Sequence, residues 1–109
     1  MSAAKGRELA RHETSPAVPD DERQAIVLRD FRADLAYWIG SDPRIASRVM
    51  RLIEDVLRNP FSGLGKPEPM KYEMAGKWSR RITDVDRLVY TVTHLGIYFS
   101  RARHHYQRR

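Results

Sequence analysis

Cysteine is absent from this 109-residue chain. That rules out disulfides, thiolate metal sites and a thiol nucleophile. No run approaches the roughly 20 apolar residues of a membrane span, and the N-terminus has none of the apolar character of a signal peptide. These absences predict a cytoplasmic protein with no membrane association. The four histidines, His12, His94, His104 and His105, form no metal-ligand spacing with the acids. Gly63-Leu64-Gly65 lacks the third glycine and the strand–helix setting of a phosphate loop. No metal and no bound cofactor is therefore expected. Acidic residues are scarce in one segment: residues 77–109 hold only Asp84 and Asp86 against Lys77, Arg80, Arg81, Arg87, Arg101, Arg103, Arg108 and Arg109. The two signs balance over residues 1–76, so the whole net charge of +6 sits in that last third.

A clustered basic excess points to nucleic acid or an acidic protein as partner, whereas a scattered one would serve solubility alone. The length suits one domain with one modest core. Residues 1–23 are polar, carry Pro16 and Pro19 and lack an apolar period, which predicts a disordered tail; residues 24–109 form the domain. Ala25 to Leu28 reads as a first strand. Asp30 then fits an N-cap, with Phe31, Leu35, Trp38 and Ile39 on one helical face and Gly40 as the stop. Asp42-Pro43 restarts a helix, a capping carboxylate before a proline at the first helical position. Ile45, Val49, Leu52, Ile53, Val56 and Leu57 form its apolar stripe up to Asn59-Pro60. The Gly- and Pro-rich stretch from Phe61 to Pro69 reads as loop or edge. Strand patterns follow at Lys77–Ile82, Arg87–Thr93 and Gly96–His104.

This order predicts an α+β fold: an N-terminal strand, a helix hairpin and a three-stranded antiparallel run, with both helices covering one face of a single sheet. Alternation on the last strand places Tyr98, Ser100 and Ala102 under the helices, and Phe99, Arg101, Arg103 and His105 on the open face.

That open face holds the residue types that cut a phosphodiester. Cleaving RNA without a metal requires a base for the ribose 2'-hydroxyl, an acid for the departing 5'-oxygen and cations for the charge on phosphorus. Glu68, fixed between Pro67 and Pro69, is a candidate base, or a solvated loop glutamate. Arg81 and Arg87 flank the turn Thr83-Asp84-Val85-Asp86 and reach one phosphate if they share a face. Their alternative is pairing with Asp84 or Asp86. His105 titrates near neutrality and is a candidate acid, or an ordinary surface histidine. Arg103, in the basic set, is a candidate substrate contact. Phe61, Trp78 and Tyr106 interleave with the cations as base-stacking rings or as core.

The run Asn59-Pro60-Phe61-Ser62-Gly63-Leu64-Gly65-Lys66-Pro67-Glu68-Pro69-Met70, then Gly76-Lys77-Trp78-Ser79-Arg80-Arg81-Ile82, Arg87-Leu88-Val89-Tyr90 and Arg103-His104-His105-Tyr106, resembles the YoeB (Txe) toxins of the RelE/ParE superfamily. Tyr37-Trp38 and Asp42-Pro43-Arg44-Ile45 fit the same pattern, so the resemblance spans about residues 24–106. It implies a toxin of a type II toxin-antitoxin pair, a ribosome-dependent mRNA interferase that cuts in the A site and is silenced by a YefM/Phd-type antitoxin. It further implies Glu68 as general base, His105 as general acid and Arg87 as the main transition-state stabiliser. Arg81 and Lys71 would then contact phosphate or substrate, and Tyr106 would position the nucleotide. Three features depart from the pattern: the extension Gln107-Arg108-Arg109, His104 where tyrosine is common, and the long N-terminal tail. Two other readings stay open. One is a basic binding module with blunted catalysis; the other is a ParE-like gyrase poison, although those relatives generally lack this Glu/Arg/His set. The oligomeric state is not set by the sequence, a homodimer being one option.

Overall fold

The computed structural model describes residues 23–104. The elements are β1 Ala25–Val27, helix α1 Arg29–Ser41, helix α2 Pro43–Arg58, β2 Glu68–Pro69, a 3₁₀ turn Tyr72–Met74, β3 Trp78–Arg81, β4 Arg87–Val92 and β5 Ile97–Arg101. The five strands form one sheet in the order β1-β5-β4-β3-β2. All neighbours are antiparallel except β1 and β5, which run parallel. The expected α+β architecture is therefore present, with β2 as an added short edge strand.

Both helix boundaries follow from local chemistry. Leu28, not Asp30, is the N-cap of α1, and Asp30 lies in the first turn, where its carboxylate faces the positive end of the helix dipole. The helix runs past Gly40 to Ser41, because its actual stop is Asp42, held extended by the following proline. Asp42 serves both helices. Its amide donates to Trp38 O at 2.8 Å, closing α1, and its side chain accepts from the Arg44 amide at 3.2 Å, opening α2 with Pro43 in the first turn.

The core lies between the helix hairpin and one sheet face. Phe31 and Trp38 of α1 and Ala46, Val49, Leu52, Ile53 and Val56 of α2 pack on Leu88, Tyr90, Ile97, Phe99 and Ala102. Phe31 and Phe99 meet with ring centroids 5.5 Å apart. Two sequence expectations fail here. Ile39 is 59% exposed rather than part of the α1 stripe; Asp34 takes the buried position instead, its carboxylate accepting from the Ala102 amide at 2.9 Å. Phe99 is fully buried, although alternation had placed it on the open face with the arginines. The cause is a bulge. Val89 pairs with Arg101 but Tyr90 pairs with Phe99, leaving Ser100 as the extra residue. Ile97 and Phe99 therefore face the helices before the bulge and Ala102 after it, while Tyr98 pairs with Thr91 on the other face.

Candidate active site

Cross-strand partners share a face, and so do alternate residues along a strand. Glu68 pairs with Ser79, Ser79 with Val89, and Arg81 with Arg87. Glu68, Ser79, Arg81, Arg87 and Val89 thus lie on one face. Trp78, Arg80, Leu88 and Tyr90 take the other, where Arg80, Leu88 and Tyr90 are fully buried beneath the helices. The base candidate and both phosphate-binding candidates accordingly stand together on the face opposite the helices.

Each is set by its own local structure. Glu68 begins β2, is exposed, and has Lys66 Nζ 3.8 Å from its Oε2. Arg81 is exposed, with its amide donating to Gly65 O at 2.6 Å. Its carbonyl accepts from Arg48 Nη2 at 2.9 Å, while Arg48 Nε donates to Ile82 O at 2.9 Å, so α2 pins the end of β3. Arg87 makes no ion pair with Asp84 or Asp86. Its Nη1 instead donates to the carbonyls of Thr83, Asp84 and Asp86 at 2.9–3.1 Å, which orders the guanidinium at the rim of the turn and leaves its positive charge uncompensated by those carboxylates. Lys71 is exposed at the start of the 3₁₀ turn. The Arg103 guanidinium stacks on Tyr37 of α1, 3.5 Å from the ring centroid. His105 and Tyr106 lie outside the described residues, as do residues 1–22 of the expected tail and the Gln107–Arg109 extension.

The main feature missed by sequence reasoning is buried. Arg80 donates through Nη1 to Asp55 Oδ2 at 2.6 Å and Leu64 O at 2.9 Å. Its Nη2 reaches Asn59 O and Ser62 O, and its Nε reaches Tyr90 Oη at 3.2 Å. Tyr90 Oη in turn donates to Pro60 O at 2.6 Å. One guanidinium therefore fastens the whole 59–64 loop that leads to Glu68. Burial alone would raise the Asp55 carboxyl, but the Leu64 amide and the Arg80 guanidinium, aided by Arg58, outweigh it and hold the carboxyl below its ordinary value. Burial pushes the Tyr90 phenol up despite Arg80, keeping it protonated as a donor. Gly65 is needed where the loop meets this network: at φ 78°, a Cβ there would stand 3.0–3.1 Å from Leu52, Arg80 and Arg81. The signal was present in the strand period, since Trp78, Arg80 and Ile82 alternate onto the core face.

The sequence pattern described as "YoeB-like toxin of bacterial type II toxin-antitoxin system" matches residues 28–106, which spans every strand after β1, both helices and all the site positions named above. The chain belongs to the YoeB-like toxin family. Toxin YoeB of Escherichia coli K12 is 48% identical over 73 residues, covering 67% of this YoeB-like toxin and 87% of the relative. The solved YoeB/ParE toxin from Agrobacterium tumefaciens superposes with a TM-score of 0.72 at 39% identity, covering 76% of this chain and 99% of that one. The YoeB–YefM complex from Staphylococcus aureus matches with a TM-score of 0.69 at 29% identity, covering 78% and 99%. No helix among the described residues of this YoeB-like toxin is long and apolar enough to cross a membrane.

Proposed function

We propose that this YoeB-like toxin is a metal-independent endoribonuclease that cuts mRNA in the ribosomal A site and so halts translation in the cytoplasm. The observation that supports this reading most is the Arg81–Arg87 cross-strand pair with Glu68 on the same face. In this mechanism Glu68 takes the ribose 2'-hydroxyl proton, and the 2'-oxygen attacks the adjacent phosphorus. Arg87, assisted by Arg81, stabilises the extra negative charge on the phosphoryl oxygens. His105 gives a proton to the departing 5'-oxygen, leaving a 2',3'-cyclic phosphate and a free 5'-hydroxyl. Tyr106 positions the nucleotide and Lys71 contacts the substrate strand, whereas Arg103, stacked on Tyr37 of α1, takes part only if its guanidinium leaves that ring.

The natural silencer is a YefM-type antitoxin. A basic face invites an acidic segment that folds across it, and such binding stabilises the toxin by mass action. The Staphylococcus aureus YoeB–YefM complex supports the choice of partner, and a YoeB dimer solved from the same organism supports self-association.

The test is cleavage of a defined mRNA in a translating extract, mapped by primer extension. Glu68→Ala and His105→Ala each lower the rate by about 10²- to 10⁴-fold while circular dichroism stays unchanged. A double variant that cuts as fast as the parent overturns the assignment.

A further inference from the structure

The face of the sheet opposite the helices extends beyond Glu68, Arg81 and Arg87. Cross-strand partners lie about 4.8 Å apart and alternate residues along a strand about 7 Å apart, so the register divides this face into rows. Arg81 and Arg87 form one row, and Glu68, Ser79 and Val89 form the next. The third row, two residues further on, is Lys77, Thr91 and Tyr98. Thr91 pairs with Tyr98. Lys77, just ahead of β3, donates through Nζ to Thr91 Oγ1 at 3.4 Å, which puts its side chain on the same face. Its backbone is fixed at both ends: the amide donates to Met74 O at 3.1 Å, and the carbonyl accepts from the Met70 amide at 2.9 Å. All three residues of the row are half-buried.

The fold leaves the charge of Lys77 unanswered. Lysine is seldom drawn out of water without a carboxylate beside it. Lys77 nevertheless makes no ion pair among the described residues, and its side-chain bond is to a neutral hydroxyl. An ammonium carries three donors, so two remain for a ligand. Tyr98 lies two strands across, about 10 Å from Lys77 along the row. A cation, a hydroxyl and an aromatic ring in one line match the phosphate, sugar and base of an unpaired nucleotide. An acidic peptide would engage the cation alone.

We propose that the row Lys77–Thr91–Tyr98 is a subsite for a further nucleotide of the substrate RNA, with a phosphate on Lys77 Nζ and a base stacked on Tyr98. The RNA strand then runs along β3, from the scissile phosphate at Arg81 and Arg87, past Glu68, to Lys77. The inference deepens the nuclease reading given above and rests on it. No group of this row touches the reacting atoms, so its contribution is to binding: losing it raises KM and leaves kcat in place.

The experiment measures binding of full-length toxin to single-stranded oligonucleotides made uncleavable by a 2'-deoxy sugar, shortened one nucleotide at a time from either end. Cleavage of mRNA in a translating extract is followed alongside. Lys77→Met is expected to weaken binding of the full-length oligonucleotide and to reduce the salt slope by about 0.7, while Lys77→Arg keeps both. Tyr98→Ala weakens binding about 5- to 100-fold, and Tyr98→Phe, which keeps the ring, does not. In one shortening series the parent and both weakened variants converge, because the nucleotide that the row holds has been removed. A loss that persists at every length, or an unchanged salt slope in Lys77→Met, overturns the proposal. So does a parent that binds none of the oligonucleotides, or a Lys77→Met variant weakened only toward a polyglutamate peptide, which would assign the row to an acidic partner. Should Tyr98→Ala not fold, Lys77→Met and its convergence on shortening decide by themselves. A parent that binds with this length dependence but cuts no mRNA sinks the nuclease reading, whereas a parent that cuts, beside a Lys77→Met variant of equal affinity and salt slope, sinks only the subsite.

Discussion

Arg80 Nη1 lies 2.6 Å from Asp55 Oδ2, the shortest ion pair among the described residues, and the arginine side chain is fully buried. Removing the carboxylate would strand a cation with no access to water. Asp55→Ala is expected to destabilise the fold by about 3–5 kcal/mol, whereas an exposed pair such as Lys66–Glu68 contributes under about 1 kcal/mol. Urea denaturation of Asp55→Ala and Lys66→Ala side by side checks the contrast. Comparable small losses in both would mean that the buried network is dispensable.

The depressed Asp55 carboxyl also fixes a sign for pH. Its folded value lies below that of an ordinary aspartate, so the stabilisation is present above the ordinary value and is lost as pH falls through the lower folded one. Stability of the parent measured between about pH 2 and 6 should fall on the acid side, and Asp55→Asn should remove part of that fall. Identical pH dependence in both proteins would contradict the assignment.

His104 holds φ 63° without being glycine. Asparagine tolerates that region better than histidine, and a β-branched side chain tolerates it least. His104→Asn should therefore match or exceed the parent in stability, by up to about 1 kcal/mol, and His104→Val should lose at least about 1 kcal/mol. Thermal melts rank the three proteins, and a valine variant as stable as the asparagine one would exclude backbone strain at this position.

Arg81 and Arg87 pair across β3 and β4 but differ in surroundings: Arg81 is exposed, while Arg87 is half-buried and braced by three carbonyls. The braced guanidinium suits the developing charge and the exposed one suits ground-state binding. Arg87→Ala is expected to act mainly on kcat. Arg81→Ala should act mainly on KM and reduce the salt slope for single-stranded RNA by about 0.7. Equal effects of both substitutions on both constants would remove the distinction.

Locally encoded features were legible in the chain. The Asp42-Pro43 break was visible because a cap and a proline act within one turn, and the Arg81–Arg87 pairing was visible because a short turn joins the two strands. Features that depend on distant partners were not. The pairing of Glu68-Pro69 with Ser79 and Trp78 carries no alternation of its own in so short a stretch. The extra residue at Ser100 reversed the strand parity that had put Phe99 outside. Arg80 fell on the core side of the strand period, yet its charge argued for the surface until Asp55 of α2 and the loop carbonyls supplied its partners.

The strand order β1-β5-β4-β3-β2 puts the strand made last in an interior position, between the earliest strand and β4. During synthesis β1 has no neighbour until β5 emerges, and Ala102, which α1 grips from both sides, arrives later still. Contacts of such long sequence separation form late. A ribosome making this protein therefore carries an incomplete sheet, with β1 unpaired at one edge, until the end of the domain has been translated.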